Sequence, residues 1–304
     1  MTSRTSSASS RALPDVALPG VADARTLPDR QFADAWASIE FPEGVKERLL
    51  RTVIAKFRLR RTVPFETMPL HGVVLLTGVP GVGKTTVARG LADKTARTLH
   101  GIGDWAFIEV DPHALAGSAL GRSQRAVEQL FGQTLSEAAA DGPLVVLLDE
   151  VETLAADRSA LSMEANPIDV HRAVDAALVG IDRLAQQHPD VLVIATSNFP
   201  GGIDPALTSR ADAVFQIPLP DAVLRRRILE STAAAVAAAF PGAQSLCDPT
   251  VLDAAAQLSE GIDGRRLRKA VASACAWRPE ALGDPENVTG EDLLAALQAM
   301  RVER

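Results

Sequence analysis

The chain has two cysteines, no tyrosine and no long apolar run, and these absences already exclude several kinds of protein. Cys247 and Cys275 lack the spacing of a metal or redox motif, so we interpret them as buried thiols in a reducing, cytoplasmic compartment. Nowhere does an apolar run approach the roughly 18 residues of a membrane-spanning helix, so we predict no membrane partner. The net charge of −7 gives no electrostatic basis for binding DNA or RNA, so we predict no nucleic-acid partner.

The start of the chain differs in composition from the rest. Residues 1–28 are rich in Ser, Thr, Ala and Pro and show no periodic apolar pattern, so we predict a disordered tail. The first residues, MTSRTSSASSRA, contain arginine and serine without acids, which is also typical of a transit peptide. The length of 304 residues favours about two domains in the remaining chain.

A glycine-rich stretch stands out at residues 73–86, which read VVLLTGVPGVGKTT. An apolar run of strand length precedes the phosphate-loop pattern G-x-x-x-x-G-K-[ST], and a helix follows it. Glycines let backbone N–H groups cradle a triphosphate, Lys84 would reach the β- and γ-phosphates, and Thr85 would ligate Mg²⁺. The alternative is a glycine-rich turn that binds nothing. The residues predicted to bind ATP here are Val79, Pro80, Gly81, Val82, Gly83, Lys84, Thr85 and Thr86.

Short apolar runs alternate with helical patterns through the first two thirds of the chain. This alternation predicts a parallel sheet covered by helices on both faces, because such strands are buried on both sides. After residue 218 the strands stop and four helical patterns follow. We therefore predict an α/β phosphate-loop domain at residues 29–218 and a small all-helical domain at residues 219–304. The five predicted strands are residues 73–76, 106–110, 144–148, 191–195 and 213–217.

Two acids follow the third predicted strand, which ends at residue 148. An acid at the carboxyl end of a parallel strand beside a phosphate loop can hold Mg²⁺, often through water, and we assign that role to Asp149. Glu150 is then placed to polarise a water molecule aimed at the γ-phosphate. The alternative is that both acids simply begin a helix.

Two further polar residues lie next to the remaining predicted strands. Asn198, after the fourth strand, could hydrogen-bond the γ-phosphate and the attacking water, although it could also be a turn-forming residue. Arg210 precedes the predicted edge strand, where it could reach the γ-phosphate held by a neighbouring subunit. Such a residue can raise the rate by a factor of roughly 10³ to 10⁵. The alternative for Arg210 is a surface salt bridge to Asp212.

The helical domain contributes one candidate residue. Arg265 opens a predicted helix and could fold back onto the nucleotide to sense its γ-phosphate, or it could be a solvated surface arginine. The histidines, including His113 and His171, lack the spacing of metal ligands, so we assign them no chemistry.

Together these motifs resemble those of the AAA+ ATPases over residues 29–304. On that resemblance, GVPGVGKT is Walker A, LLDE is Walker B, Asn198 is sensor 1, Arg210 is the arginine finger and Arg265 is sensor 2, and the helical domain is the lid. The longer segments are similar to the HORMA-remodelling branch, which is the pachytene checkpoint or thyroid hormone receptor interactor 13 type. They are most like its bacterial members in antiphage systems that make cyclic oligonucleotides. These segments read LLDEVETLAADRSA, NPIDVHRAVDAALVGIDRL, VIATSNFPGGIDPALTSRAD and GRRLRK.

The resemblance implies a homohexameric ring that uses ATP and Mg²⁺ to partly unfold a HORMA-domain protein through a central pore. In bacteria this would separate the HORMA activator from a cyclic GMP-AMP synthase-like nucleotidyltransferase and keep signalling off. Eukaryotic members carry a substantial N-terminal recognition domain, whereas about 30 weakly patterned residues precede the ATPase region here. That difference favours the bacterial type.

The pore loop departs from the family pattern. The branch tends to have an aromatic residue after the second strand, but the matching stretch, residues 115–121, reads LAGSALG. We place the pore loop at Ala119 and Leu120, where Leu120 would grip a client by apolar contact, more weakly than an aromatic ring. A few steps of pulling demand less of such a loop than long threading. The alternative is that this stretch is an ordinary turn.

Two other functions fit part of the sequence. One is an AAA+ remodeller or activase that acts on another client protein. The other is a nucleotide-gated scaffold with little hydrolysis, although a mere switch does not need Glu150. A small-molecule kinase would leave Arg210 and the helical domain unexplained.

Overall fold

The computed structural model of the protein describes residue 11 and residues 13–115, 122–153 and 167–302. Within this part the chain divides into two compact units, which we describe separately. The first unit is drawn from residues 1–36, 47–77 and 85–216, and the second from residues 37–46, 78–84 and 217–304.

The first unit is built on a sheet that contains six strands among the described residues. Across the sheet their order is β1-β3-β4-β5-β2-β6, and the five strands β2 to β6 are parallel. Every residue of β2, β3, β4 and β5 is buried, which explains why these strands read as continuous or nearly continuous apolar runs. The strands are β1 (Val21–Leu27), β2 (Val73–Thr77), β3 (Trp105–Val110), β4 (Leu144–Leu148), β5 (Val191–Ser197) and β6 (Ala211–Gln216).

Strand β1 corrects two predictions. The sheet has six strands rather than five, and β1 lies within residues 1–28, which the composition predicted to be a disordered tail. β1 runs antiparallel to β3, so its backbone groups pair with an otherwise open edge. Its sequence, VADARTL, buries only Val21 and Leu27, and this spacing lacks the alternation that would indicate a strand.

Helices cover the sheet, and their apolar faces complete the core of the first unit. Leu130, Phe131, Val174 and Ile181 are almost fully buried against the sheet residues of the same cluster. The helical stretch from Arg122 to Ala140 consists of α5, a π-helical turn at Leu130–Leu135, and α6. The helices up to residue 216 are α1 (Arg30–Ser38), α2 (Val45–Thr62), α3 (Lys84–Thr98), α4 (Pro112–Leu115), α5 (Arg122–Gln129), α6 (Ser136–Ala140), α7 (Pro167–Gln187) and α8 (Pro205–Arg210).

A buried arginine ties the end of α7 to the start of β5. The Arg60 guanidinium donates to the carbonyl oxygens of Val191, Ala185 and His188. Burial lowers the pKa of Arg60 to about 10, well below the ordinary value for arginine. These bonds satisfy carbonyl groups at the C-terminus of α7 and fix the strand that leads to Asn198.

The second unit is helical after residue 217, as predicted. Asp221, Asp248 and Asp263 each precede a helix and accept hydrogen bonds from backbone N–H groups of its first turn. Leu229, Leu267 and other apolar residues form a separate core. None of the helices in the described part of the chain is long and apolar enough to cross a membrane. The helices are α9 (Ala222–Ala239), α10 (Pro249–Leu258), α11 (Gly264–Ala274), α12 (Pro279–Gly283) and α13 (Gly290–Val302).

Candidate nucleotide-binding and hydrolysis site

The glycine-rich loop follows β2 directly and requires glycine for steric reasons. Gly81 and Gly83 have φ values of 85° and 94°, in a region that other residues rarely adopt. A Cβ atom on Gly81 would lie 2.0 Å from Oδ1 of Asp263, and one on Gly83 would lie 2.2 Å from Cδ1 of Ile39. The loop is therefore closely packed within the second unit.

The buried side chain of Lys84 hydrogen-bonds to the backbone of this loop. It is 6% exposed, and its Nζ donates to the carbonyl oxygens of Gly78 at 2.8 Å and Val79 at 3.0 Å. Val79 and Pro80 are exposed at the tip of the loop, while Val82 is buried. The loop leads into α3, whose first turn contains Thr85 and Thr86. The N-terminus of a helix attracts anions, so this arrangement suits a phosphate group.

The structure brings Thr85 and Asp149 together in the first unit. Asp149 follows β4, and both of its carboxylate oxygens accept from the Thr85 hydroxyl, at 2.9 and 3.0 Å. A hydroxyl and a carboxylate supply the oxygen ligands that Mg²⁺ prefers, and Mg²⁺ commonly takes only one or two carboxylates beside phosphate. The two residues therefore fit the cofactor assigned to them.

The structure also brings Glu150 and Asn198 together. Glu150 Oε1 accepts from Asn198 Nδ2 at 3.0 Å. Glu150 is half-exposed, so it can face solvent and a reacting water. Its φ of 51° is the left-handed value, which is uncommon for a residue with a Cβ atom.

Three residues near this pair were not found from the sequence. His113 Nε2 lies 3.7 Å from Glu150 Oε2, although the histidines were assigned no chemistry. Glu152 Oε1 accepts from the backbone N–H of Asn198 at 3.0 Å. The Thr196 hydroxyl accepts from the backbone N–H of Glu150 at 3.1 Å. The only available signal was that each lies near the carboxyl end of a parallel strand.

Arg210 lies at the last position of α8 and has a well-defined partner. Its Nε and Nη2 donate to the two carboxylate oxygens of Asp182 on α7, at 2.7 and 2.8 Å. These hydrogen bonds raise the pKa of Arg210 above its ordinary value. The salt bridge to Asp212 considered as an alternative is not the arrangement found. Asp212 accepts instead from the backbone N–H groups of His71 and Gly72, at 2.8 and 2.7 Å.

Arg265 lies in the second unit at the start of α11. Its backbone N–H donates to Asp263 Oδ1 at 3.0 Å and to the carbonyl oxygen of Gly81 at 3.1 Å, so the start of α11 contacts the glycine-rich loop. The Arg265 side chain is exposed. Ala119 and Leu120, assigned to the pore loop, lie outside the described residues, so that assignment stays a prediction.

A phosphate loop that follows a strand along the chain, together with a Thr–Asp pair and a Glu–Asn pair at the carboxyl ends of parallel strands, is typical of a P-loop nucleoside triphosphatase. Residues 74–219 match the model of the ATPase family associated with various cellular activities (AAA). The chain is 45% identical over 291 residues to CD-NTase-associated protein 6 of Pseudomonas aeruginosa, and the match covers 95% of each chain. The chain belongs to the AAA ATPase family, and the predicted ATPase class is confirmed.

Eukaryotic relatives and solved structures are consistent with this family assignment. The chain is 33% identical over 242 residues to the pachytene checkpoint protein 2 homolog of Arabidopsis thaliana, covering 77% of this chain but only 52% of that protein. The structure of C. elegans PCH-2 superposes with a TM-score of 0.74 at 25% identity, covering 92% of this chain and 76% of that one. A chain of the E. coli MS115-1 HORMA:CdnC:Trip13 complex has the same fold, with a TM-score of 0.75 at 20% identity, over 94% of this chain and 97% of that one. The predicted resemblance to the pachytene checkpoint type is thus confirmed.

Proposed function

We propose that the protein assembles into a homohexameric ring that hydrolyses ATP to partly unfold or disassemble a HORMA-domain protein. In a bacterium this would release the HORMA-domain protein from a cyclic GMP-AMP synthase-like nucleotidyltransferase and switch off antiphage signalling in the cytoplasm. The observation that carries this proposal is the identity of 45% to a CD-NTase-associated protein over 95% of both chains. Within the ring, residues 29–218 together with β1 would be the ATPase domain, and residues 219–304 would be its helical lid.

The contacts of Thr85 with Asp149 and of Glu150 with Asn198 support the hydrolysis step that we propose. Thr85 and Asp149 would hold Mg²⁺, which supplies positive charge to the phosphates of ATP. Glu150 takes a proton from the attacking water, and the Asn198 amide keeps the Glu150 carboxylate oriented toward it. Lys84 and the loop amides bind the phosphates and offset the charge that develops on them.

The remaining roles depend on neighbouring protomers or on the lid. Arg210 would be presented to the nucleotide of the adjacent subunit, where its guanidinium stabilises charge on the γ-phosphate. Arg265 would sense, from the lid, the γ-phosphate of the nucleotide bound to its own subunit. The contact between its backbone and Gly81 supports this proposal, because it joins α11 to the phosphate loop.

The client is tested with a purified complex of a HORMA-domain protein and its CD-NTase. We expect substoichiometric wild-type protein with ATP to release the HORMA-domain protein, measured as loss of co-elution in gel filtration. The Glu150→Gln variant should capture the HORMA-domain protein in the presence of ATP without releasing the nucleotidyltransferase.

A matched control is Glu137→Gln, which changes an exposed glutamate on α6 and should release the client as the wild type does. If the wild-type protein hydrolyses ATP while the complex stays intact and Glu150→Gln captures no HORMA-domain protein, the client belongs to another class. That result would contradict the HORMA proposal and favour a remodeller of a different protein.

A further inference from the structure

One buried hydroxyl links the two acids of the hydrolysis site. Thr196 is 1% exposed and belongs to β5, which extends two residues beyond the predicted strand. Its Oγ1 donates to Asp149 Oδ1 and accepts from the backbone N–H of Glu150. A single side-chain atom therefore contacts both the residue assigned to Mg²⁺ and the residue assigned as base.

The bond to the Glu150 N–H matters because of the backbone conformation there. Glu150 is the non-glycine residue with positive φ among the described residues, at 51°. A side chain with a Cβ atom disfavours this conformation, so neighbouring contacts must hold it. The hydroxyl of Thr196 stabilises the turn by giving the partly buried N–H of Glu150 a hydrogen-bond acceptor.

The bond to Asp149 gives its carboxylate a second hydroxyl donor besides Thr85. Asp149 Oδ1 accepts from both hydroxyls, those of Thr85 and Thr196. Hydrogen bonds to a metal-binding carboxylate orient it and tune its affinity for the ion. The Thr196 hydroxyl can serve both acids because a hydroxyl donates and accepts at once.

We propose that Thr196 is a positioning residue that sets Asp149 for Mg²⁺ and Glu150 for the attacking water at the same time. The idea rests on the proposed ATP hydrolysis and adds a residue to it. Glu150 is also positioned through Asn198. The Asn198 side chain donates to Glu150, and the Asn198 backbone N–H donates to Glu152. Because it contacts both acids, the hydroxyl of Thr196 couples the position of the Mg²⁺-binding carboxylate to the position of the base.

The test removes the hydroxyl while keeping the shape of the side chain. Thr196→Val should lower kcat about 10- to 100-fold, because small displacements of reacting groups have effects of that size, and should leave KM for ATP within about threefold. Thr196→Ser keeps the hydroxyl and should recover most of the turnover. If Thr196→Ser loses as much turnover as Thr196→Val, the hydroxyl does not determine the turnover and the proposal is wrong.

A matched control makes the same chemical change elsewhere in the first unit. The hydroxyl of Thr95 on α3 is fully buried and has no hydrogen-bond partner within the described residues. Thr95→Val should therefore keep wild-type turnover. An equal loss in Thr95→Val would show that removing any buried hydroxyl is harmful, which would overturn the assignment. Should Thr196→Val not fold, as judged by circular dichroism, Thr196→Ala gives the same comparison.

A second readout does not depend on turnover. Binding of a fluorescent ATP analogue is measured as a function of Mg²⁺ concentration. Thr196→Val should raise the Mg²⁺ concentration at the midpoint by about tenfold, because removing a hydrogen-bond partner of a metal ligand typically weakens metal binding by about 10- to 100-fold. A wild-type protein that hydrolyses no ATP would refute the proposed function, while the Mg²⁺ midpoint would still decide the role of Thr196. An unchanged midpoint in Thr196→Val, with unchanged turnover where turnover exists, would overturn the proposal.

Discussion

Replacing Arg210 by alanine should reduce ATP turnover by about 10³-fold or more and leave ATP binding nearly unchanged. The expected loss is large because, in the proposed ring, the Arg210 guanidinium of a neighbouring subunit would stabilise charge that develops only in the transition state. Steady-state phosphate release measures turnover, and a fluorescent ATP analogue measures binding. Arg183→Ala is a suitable control, because Arg183 is an exposed arginine next to Asp182 on α7.

The same variant tests whether Arg210 acts between subunits. A protomer with Arg210→Ala keeps an intact Glu150, and a protomer with Glu150→Gln keeps an intact Arg210. Mixed rings should therefore contain some interfaces with both residues, and turnover should rise above that of either variant alone. If no mixing ratio restores any turnover, Arg210 does not act on the neighbouring site.

Replacing Glu150 by glutamine should slow hydrolysis by about 10²- to 10⁴-fold, the range typical of losing a positioned base. The amide keeps a carbonyl oxygen that can accept from Asn198 Nδ2, so the hydrogen bond of 3.0 Å need not be lost. The variant should bind ATP and stabilise the ring. The effect then reports the lost basicity of the side chain.

One measurement on two variants tests the assignment of Glu150 as the base. Single-turnover hydrolysis of bound ATP should be slow in Glu150→Gln and normal in Glu137→Gln. Turnover at the wild-type rate in Glu150→Gln would mean that another group takes the proton, and His113, at 3.7 Å from Glu150, would be the first to examine.

The parallel strands could be predicted from sequence for a simple physical reason. Strands such as LVVLL and VLVIA are buried on both faces, so each reads as an apolar run that needs no partner to be identified. β1 could not be predicted in this way. It is an edge strand with polar residues such as Asp23 and Arg25, and it is ordered by pairing with β3, which lies some 80 residues further along the chain.

The same distinction separates the site residues that could be predicted from the sequence from the contacts that could not. Thr85, Asp149, Glu150 and Asn198 follow or begin regular elements, and parallel strands present their carboxyl ends at one edge, so their proximity follows from the order of the elements. The contacts of Thr196 depend on where β5 ends and how one hydroxyl is oriented. The sequence pattern contains neither, so these contacts were missed.

Long-range ion pairs are equally hard to read from the sequence. Arg210 pairs with Asp182, which precedes it by 28 residues on a different helix, whereas the nearby Asp212 turns toward the backbone of His71 and Gly72. Proximity along the chain therefore indicated the wrong partner. The bidentate geometry depends on how α7 and α8 lie against each other.

The most direct test of the account is ATP turnover per protomer as a function of protein concentration, with the oligomeric state followed by mass photometry in the same samples. Because Arg210 would complete the site of a neighbouring subunit, turnover per protomer should be very low where monomers dominate and should rise in step with the assembled fraction. Full turnover in a sample that contains only monomers would contradict the account.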